Sequence, residues 1–267
     1  MLFFEIRKYI NTNFHRIIAV LFVAFIFLLT NRTNVSVLFI PEGSRLNIHD
    51  YIIGCFNSTQ FIMFCVFPML FAVLTSDLIT SEINDKYIHF IIPRMNNRLN
   101  YLLNKFILMM LIAIFFTICI LIFQVIISII FDYGGVDRQL FNPVFSLLNK
   151  HSLLYIYLLT ITYFLLGLIL VGLISILISL YFNKAVLVVG SIFFISIIHN
   201  ALLVTGDKFI LQFMPFSQYI VGFHNNFSGY TLDSKNFSLK FSIIYYSVSI
   251  PILIFLIIRN FKNRDIS

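Results

Sequence analysis

The sequence predicts an all-α, polytopic membrane protein with six transmembrane helices, and three observations carry that reading. Of 267 residues, 60% are hydrophobic, 17% aromatic and only 11% charged, against about 25% charged in soluble proteins; the mean hydropathy is +0.97. So few polar side chains cannot clothe a soluble fold of this length. Apolar runs recur six times, at about 14–33, 58–80, 106–131, 153–180, 185–204 and 241–259, each near the ~20 residues that cross a bilayer core. The loops between them divide Lys and Arg unequally.

The chain reads as a single transmembrane domain, 1–267. At its start, Phe3, Ile6, Ile10 and Phe14 share one helical stripe opposite Arg7, Lys8, Asn11 and His15. An amphipathic helix over 2–16, lying on the membrane surface, fits that pattern. The first span is the weakest, with a strictly apolar core only from Ile17 to Leu29. No A-x-A-like cleavage site follows it, so it is expected to stay as an anchor.

Placing the N-terminus inside puts eleven Lys and Arg on the cytoplasmic side and seven outside. The positive-inside tendency therefore predicts a multi-pass cell-membrane protein with both termini cytoplasmic. The net charge of +7 fits anchoring against anionic lipid; no basic run points to nucleic acid.

The second span leads into a polar loop, 81–105, which opens the third. The fourth and fifth spans are joined by only Tyr181–Lys184 and must be antiparallel neighbours. Gly172, Ser175 and Ser179 share a face of the fourth, where small residues admit close packing. The outer segment 205–240 combines Phe209, Phe213, Phe216, Tyr219 and Phe223 with Pro215 and Gly222. It is too apolar for a free loop and too broken to span, so short helices packed at the outer leaflet are expected.

Several chemistries lack their residues. There is no GxxxxGK[ST] phosphate loop and no HExxH zinc motif, and Cys55, Cys65 and Cys119 lack ligand spacing; no metal site or catalytic residue is expected. Ser191 and His199 sit eight residues apart, roughly 12 Å along a helix, too far to pair. His199 and Asn200 are polar groups inside a span, where such groups face the bundle interior. They are candidate substrate-path residues, or side chains that bond a neighbouring helix. Asp77 is the one carboxylate within a predicted span, near its end, which gives little support to an ion-coupled carrier.

The loop holds the chemistry that remains. Ile83, Tyr87, Phe90 and Ile91 make an i, i+4, i+7, i+8 stripe beside Asn84, Asp85 and Lys86. A helix of that pattern offers an apolar knob to a partner's groove, with Arg94 and Arg98 free for acidic rims or phospholipid; an orientation-setting basic loop is the plainer alternative. The run from Asp77 to Phe106 resembles the cytoplasmic loop of ABC-2-type permeases. Glu82, Arg98 and Lys105 fall where that family has its acidic step, its Arg turn and the Lys heading the third span. Lys86-Tyr87 stands where the family commonly has Gly-Thr.

The resemblance implies the permease subunit of an ATP-binding cassette exporter, without an enzymatic site of its own. It implies two permease subunits, identical or homologous, docked on separate ATPase subunits that bind ATP and Mg. The ATPase-coupling residues would be Glu82, Ile83, Asp85, Tyr87, Phe90, Arg94, Arg98 and Lys105. The 33 Phe suggest an amphipathic or hydrophobic cargo such as a peptide. The alternatives are an ion-coupled carrier or channel, and a membrane-embedded enzyme or scaffold.

Overall fold

The computed structural model describes residues 2–30, 48–57, 66–84, 88, 98–133, 152–182, 184–205, 208–224 and 237–263. All regular structure among them is helical: α1 (Leu2–Thr30), α2 (Ile48–Asn57), α3 (Val66–Thr75), α4 (Asp77–Asn84), α5 (Arg98–Ile130), α6 (Leu153–Tyr181), α7 (Ala185–Thr205), α8 (Lys208–Leu211), α9 (Pro215–Gln218), a 3-10 turn (Val221–Phe223) and α10 (Leu239–Asn263). With α3 and α4 taken together as Val66–Asn84, six of these are long and apolar enough to cross a membrane. The molecule is a multi-pass helical membrane protein.

α6 is the central helix and packs against α10, α3, α5, α7 and α2. Its predicted small face is buried: Gly172, Ser175 and Ser179 all point inward. A Cβ on Gly172 would run into Met109 of α5 and lie 3.2 Å from Phe71 of α3, and one on Gly167 would lie 2.7 Å from the Cβ of Tyr219. Hydrocarbon outside the bundle gives no hydrophobic drive to pair helices, so close backbone approach through small residues supplies contact instead. Large side chains such as Phe22, Ile129, Phe194 and Ile252 point outward.

Helix ends carry their own stop signals. Ser152 caps α6 by accepting from the Tyr155 amide at 3.4 Å. α5 closes on Asp132 at φ 50°, with Tyr133 N–H reaching back to the Ser128 carbonyl at 3.0 Å; aspartate tolerates this left-handed position better than most residues.

Three expectations are revised. Segment 2–16 is not a separate surface helix: it is the first half of α1, a single helix of 29 residues. Neither Pro nor Gly interrupts 2–30, and at 1.5 Å per residue α1 is about 43 Å long, more than the ~30 Å core needs. The 2–16 stretch and the first span therefore form one continuous helix.

α2 was not foreseen, because its ten residues fell in an expected loop; Tyr51, Ile52, Cys55 and Phe56 bury its inner face. The predicted loop 81–105 is shorter, since α4 runs to Asn84 and α5 starts at Arg98. Residues 85–87 and 89–97, which carry Asp85, Tyr87, Phe90 and Arg94 of the expected coupling helix, lie outside the described residues.

Within the outer segment, the described stretch 208–224 is divided: Phe209, Ile210 and Phe213 are exposed. Phe216, Tyr219, Ile220, Val221 and Phe223 are buried, and Tyr219 meets Phe164 of α6 edge to face at 5.8 Å.

The glycines predict a graded response to a single methyl. Gly167→Ala presses against Tyr219 close to its backbone and should cost about 1–3 kcal/mol. Gly172→Ala meets the flexible end of Met109 and should cost less, and Gly190→Ala, with nothing within 4 Å, should cost nothing. Thermal unfolding of the three variants in one detergent gives the order.

Candidate functional site

Most of the described charged side chains collect at one end of the bundle. α1 begins there, α4 ends there, α5 begins there, and the last turn of α10 returns to it: Tyr101 stacks on Phe261 at 5.5 Å, and Arg98 Nη1 donates to the Lys262 carbonyl at 3.3 Å. The start of α1 and the end of α10 therefore lie on the same side.

At the centre of this end sits Lys105. Its Nζ donates to Glu5 Oε2 at 2.8 Å and to Glu82 Oε1 at 2.8 Å, and lies 5.2 Å from the face of the Tyr101 ring. Glu82 also accepts from Lys8 Nζ at 2.8 Å and, on Oε2, from the Tyr101 hydroxyl at 2.7 Å. Glu5 and Lys105 are each 2% exposed and Glu82 5%. Two carboxylates and two ammonium groups balance in charge. Burying them is tolerable only because each has a partner; removing one leaves a naked charge in a dry site.

A second link lies beside it. Where α3 breaks into α4 at Ser76, Tyr9 donates to the Leu74 carbonyl at 2.8 Å. Arg16 pairs with Asp77, and Asp77 also accepts from Thr80 at 3.2 Å. Asp77 occupies the first turn of α4, where a negative charge faces free amides and the positive end of the helix dipole. α1 thus holds both sides of the break. A polar cleft of about 40 Å³ remains between Glu5, Lys8, Tyr9, Asp77 and Glu82, about the space of one water molecule.

Of the predicted coupling residues, Glu82 and Lys105 meet inside this node and offer little surface to a partner. Ile83 is half-buried at the end of α4 and Arg98 half-buried at the start of α5. Glu5 and Tyr101 are node residues that the sequence reading missed. His199 is elsewhere: it is fully buried on α7, edge-on to Phe216 at 5.7 Å. Neither of its ring nitrogens, nor Asn200 Oδ1, has a hydrogen-bond partner among the described residues. Ser191 is turned away, donating to the Leu187 carbonyl at 2.8 Å, so the two do not pair. No group of three His, Cys, Asp or Glu fit to hold a metal occurs among the described residues.

The opposite end is closed by neutral groups. His224 Nε2 lies 2.7 Å from Ser242 Oγ, which donates to Gln218 Oε1 at 2.7 Å. His224 Nδ1 lies 3.1 Å from the Val221 carbonyl, and the ring stacks on Phe237 at 4.5 Å. A carbonyl only accepts, so Nδ1 carries the proton of the neutral ring, and Nε2 and Gln218 Oε1 compete for one hydroxyl hydrogen. Burial pushes the imidazole down to about 4, partly offset by the carbonyls of Val221 and Ile220.

An all-helical multi-span membrane protein with an ionic node at one end and a neutral cap at the other is the class these features define. Residues 16–267 match the family described as Protein of unknown function (DUF2705), and the chain belongs to that family. No curated protein matches it.

Two outcomes follow from the two ends. Lys105→Met strands Glu5 and leaves Glu82 with Lys8 and Tyr101 alone, and should cost about 3–5 kcal/mol, read as a fall in unfolding temperature in detergent. For His224 the folded value lies below the ordinary 6.5, so the unfolded chain binds the extra proton first. Its contribution is complete above pH 6.5 and is lost as pH falls towards 4, about 2–3 kcal/mol by pH 4.5. Unfolding measured at pH 7.5 and 4.5 should show a smaller acid loss in His224→Gln than in the parent chain.

Proposed function

We propose that this chain is the permease subunit of an ABC-2-type exporter, moving an amphipathic or hydrophobic substrate with energy from separate ATPase subunits. One observation carries the reading. The connection between α4 and α5, where the resemblance puts the coupling helix, is flanked on both sides by residues of the buried ionic node: Glu82 before it, Tyr101 and Lys105 after it. A force applied to that connection would pass through two short helix ends into α1, α3 and α5 together.

In this reading Glu82 and Lys105 transmit and do not dock; docking belongs to Ile83, Asp85, Tyr87, Phe90, Arg94 and Arg98. ATP and Mg are held by the ATPase, since the chain has no phosphate-binding loop of its own. Two permease subunits, both termini in the cytoplasm and the cell membrane as location complete the proposal.

The test is co-purification of the ATPase with transport measured in the same membranes. Tyr87→Ala/Phe90→Ala should insert normally, weaken ATPase association 10-fold or more, and abolish transport. Parent-like binding and transport in that double variant would remove the basis of the proposal.

A further inference from the structure

On the membrane-facing side of the node, α1 and α5 do not close on each other. Between them runs an apolar groove of about 330 Å³, walled by Ile6, Ile10, Phe14, Ile17, Leu111 and Phe115, with Tyr9 and Leu108 in its floor. The same Tyr9 and Leu108 also line the small polar cleft over Glu5 and Glu82. Groove and charged end adjoin at these two residues, so the site is apolar along its length and polar at its mouth.

Both walls belong to helices long and apolar enough to cross a membrane, and the medium against such a groove is lipid hydrocarbon. The mouth has a charge to match. Lys8 is committed to Glu82, Arg16 to Asp77, and Glu5 to Lys105. Arg7 is exposed and makes no ion pair among the described residues. At about 100° per residue Arg7 stands about 40° from Phe3 and about 60° from Ile10, so it flanks the apolar stripe, where the sequence pattern had suggested that it opposes it, and borders the groove. From Arg7 to Ile17 is about 15 Å of helix, half of a ~30 Å core and thus the depth of one leaflet.

We infer that this groove is a binding site for one acyl chain of an anionic phospholipid whose phosphate pairs with Arg7. The occupant is a bilayer lipid because the walls are apolar over a single leaflet's depth. It is anionic because the unmatched charge at the mouth is positive. A lipid seated there would press on Tyr9 and Leu74, the two sides of the hydrogen bond at the α3–α4 break. The inference does not depend on the export proposal, since it uses no partner and no ATP.

The chain has no tryptophan, so one introduced indole reports a single place. Phe115→Trp probes the groove, Leu111→Trp serves as a second groove probe, and Phe194→Trp, at a residue of α7 that is 63% exposed, serves as the comparison. Each full-length variant is reconstituted in vesicles of brominated phosphatidylcholine, and unbrominated phosphatidylglycerol is added stepwise. The groove indoles should escape quenching at an about five-fold lower phosphatidylglycerol fraction than the α7 indole, the preference one arginine near a membrane surface supplies. Arg7→Gln should move the groove curves onto the α7 curve. Coincident curves in the parent, or a preference that survives Arg7→Gln, would overturn the inference. So would groove indoles unquenched in pure brominated phosphatidylcholine, the result if a second copy of the chain covers the groove.

Discussion

The rest of the structure depends on one ammonium group held between two carboxylates. Lys105 lies on α5, Glu5 on α1 and Glu82 on α4, three segments separated by up to 100 positions in sequence, and both contacts are 2.8 Å. In lipid, apolar faces gain nothing by leaving hydrocarbon for one another, so the contacts that choose between arrangements are close packing and polar pairing. A buried ion pair adds little net stability compared with a well-packed apolar replacement, yet it forbids every arrangement in which a charge is stranded. The node fixes which helices meet at this end and at what level along their axes.

The levels explain the lengths of the helices. α5 has 33 residues, about 50 Å at helical rise, and like α1 it overruns the hydrocarbon core. The overhang brings Glu5, Lys8, Tyr101 and Lys105 to one height beyond or at the edge of the core, where charge is affordable. At the far end the closing groups are neutral: Tyr51 donates to the Leu28 carbonyl at 3.2 Å, Tyr163 donates to the Leu239 carbonyl at 2.9 Å, and Ser242 bridges His224 and Gln218. Between them the small face of α6 lets α3 and α5 come close. α1 grips both sides of the break at Ser76, so any change in the tilt of α4 must disturb Tyr9, Arg16 and Glu5 together.

The spans were legible because twenty apolar residues in a row have few other uses; α6 and α7 match the reading to within a residue or two. α1 was harder for a physical reason. Its conspicuous stripe, Phe3, Ile10 and Phe14, faces outward, while the face that packs on protein carries Glu5, Tyr9, Val20 and Ala24. An outward stripe is what a membrane-surface helix would also show; Glu5 went unnoticed because a single carboxylate on the other face gives no sequence sign that protein covers it. α2 carried a readable signal in Ile48, Tyr51, Ile52 and Cys55, at i, i+3, i+4 and i+7, but ten residues are too few to register as a span. Glu82 and Lys105 were legible as important, through family likeness, but not as each other's partners. Twenty-three positions and a whole loop separate them, and sequence spacing says nothing about contacts across such a gap.

The central claim is that Glu5 and Lys105 act on each other directly and thereby hold α1 to α5. The measurement that tests it is a double-mutant cycle of Glu5→Gln and Lys105→Met, with unfolding free energies from one detergent system. Residues joined in a buried pair should be non-additive by about 2 kcal/mol, within the ~0.5–3 kcal/mol seen for contacting groups. Effects that add to within about 0.5 kcal/mol would mean that the two do not share an interaction, and that α1 is held to α5 by something other than the node.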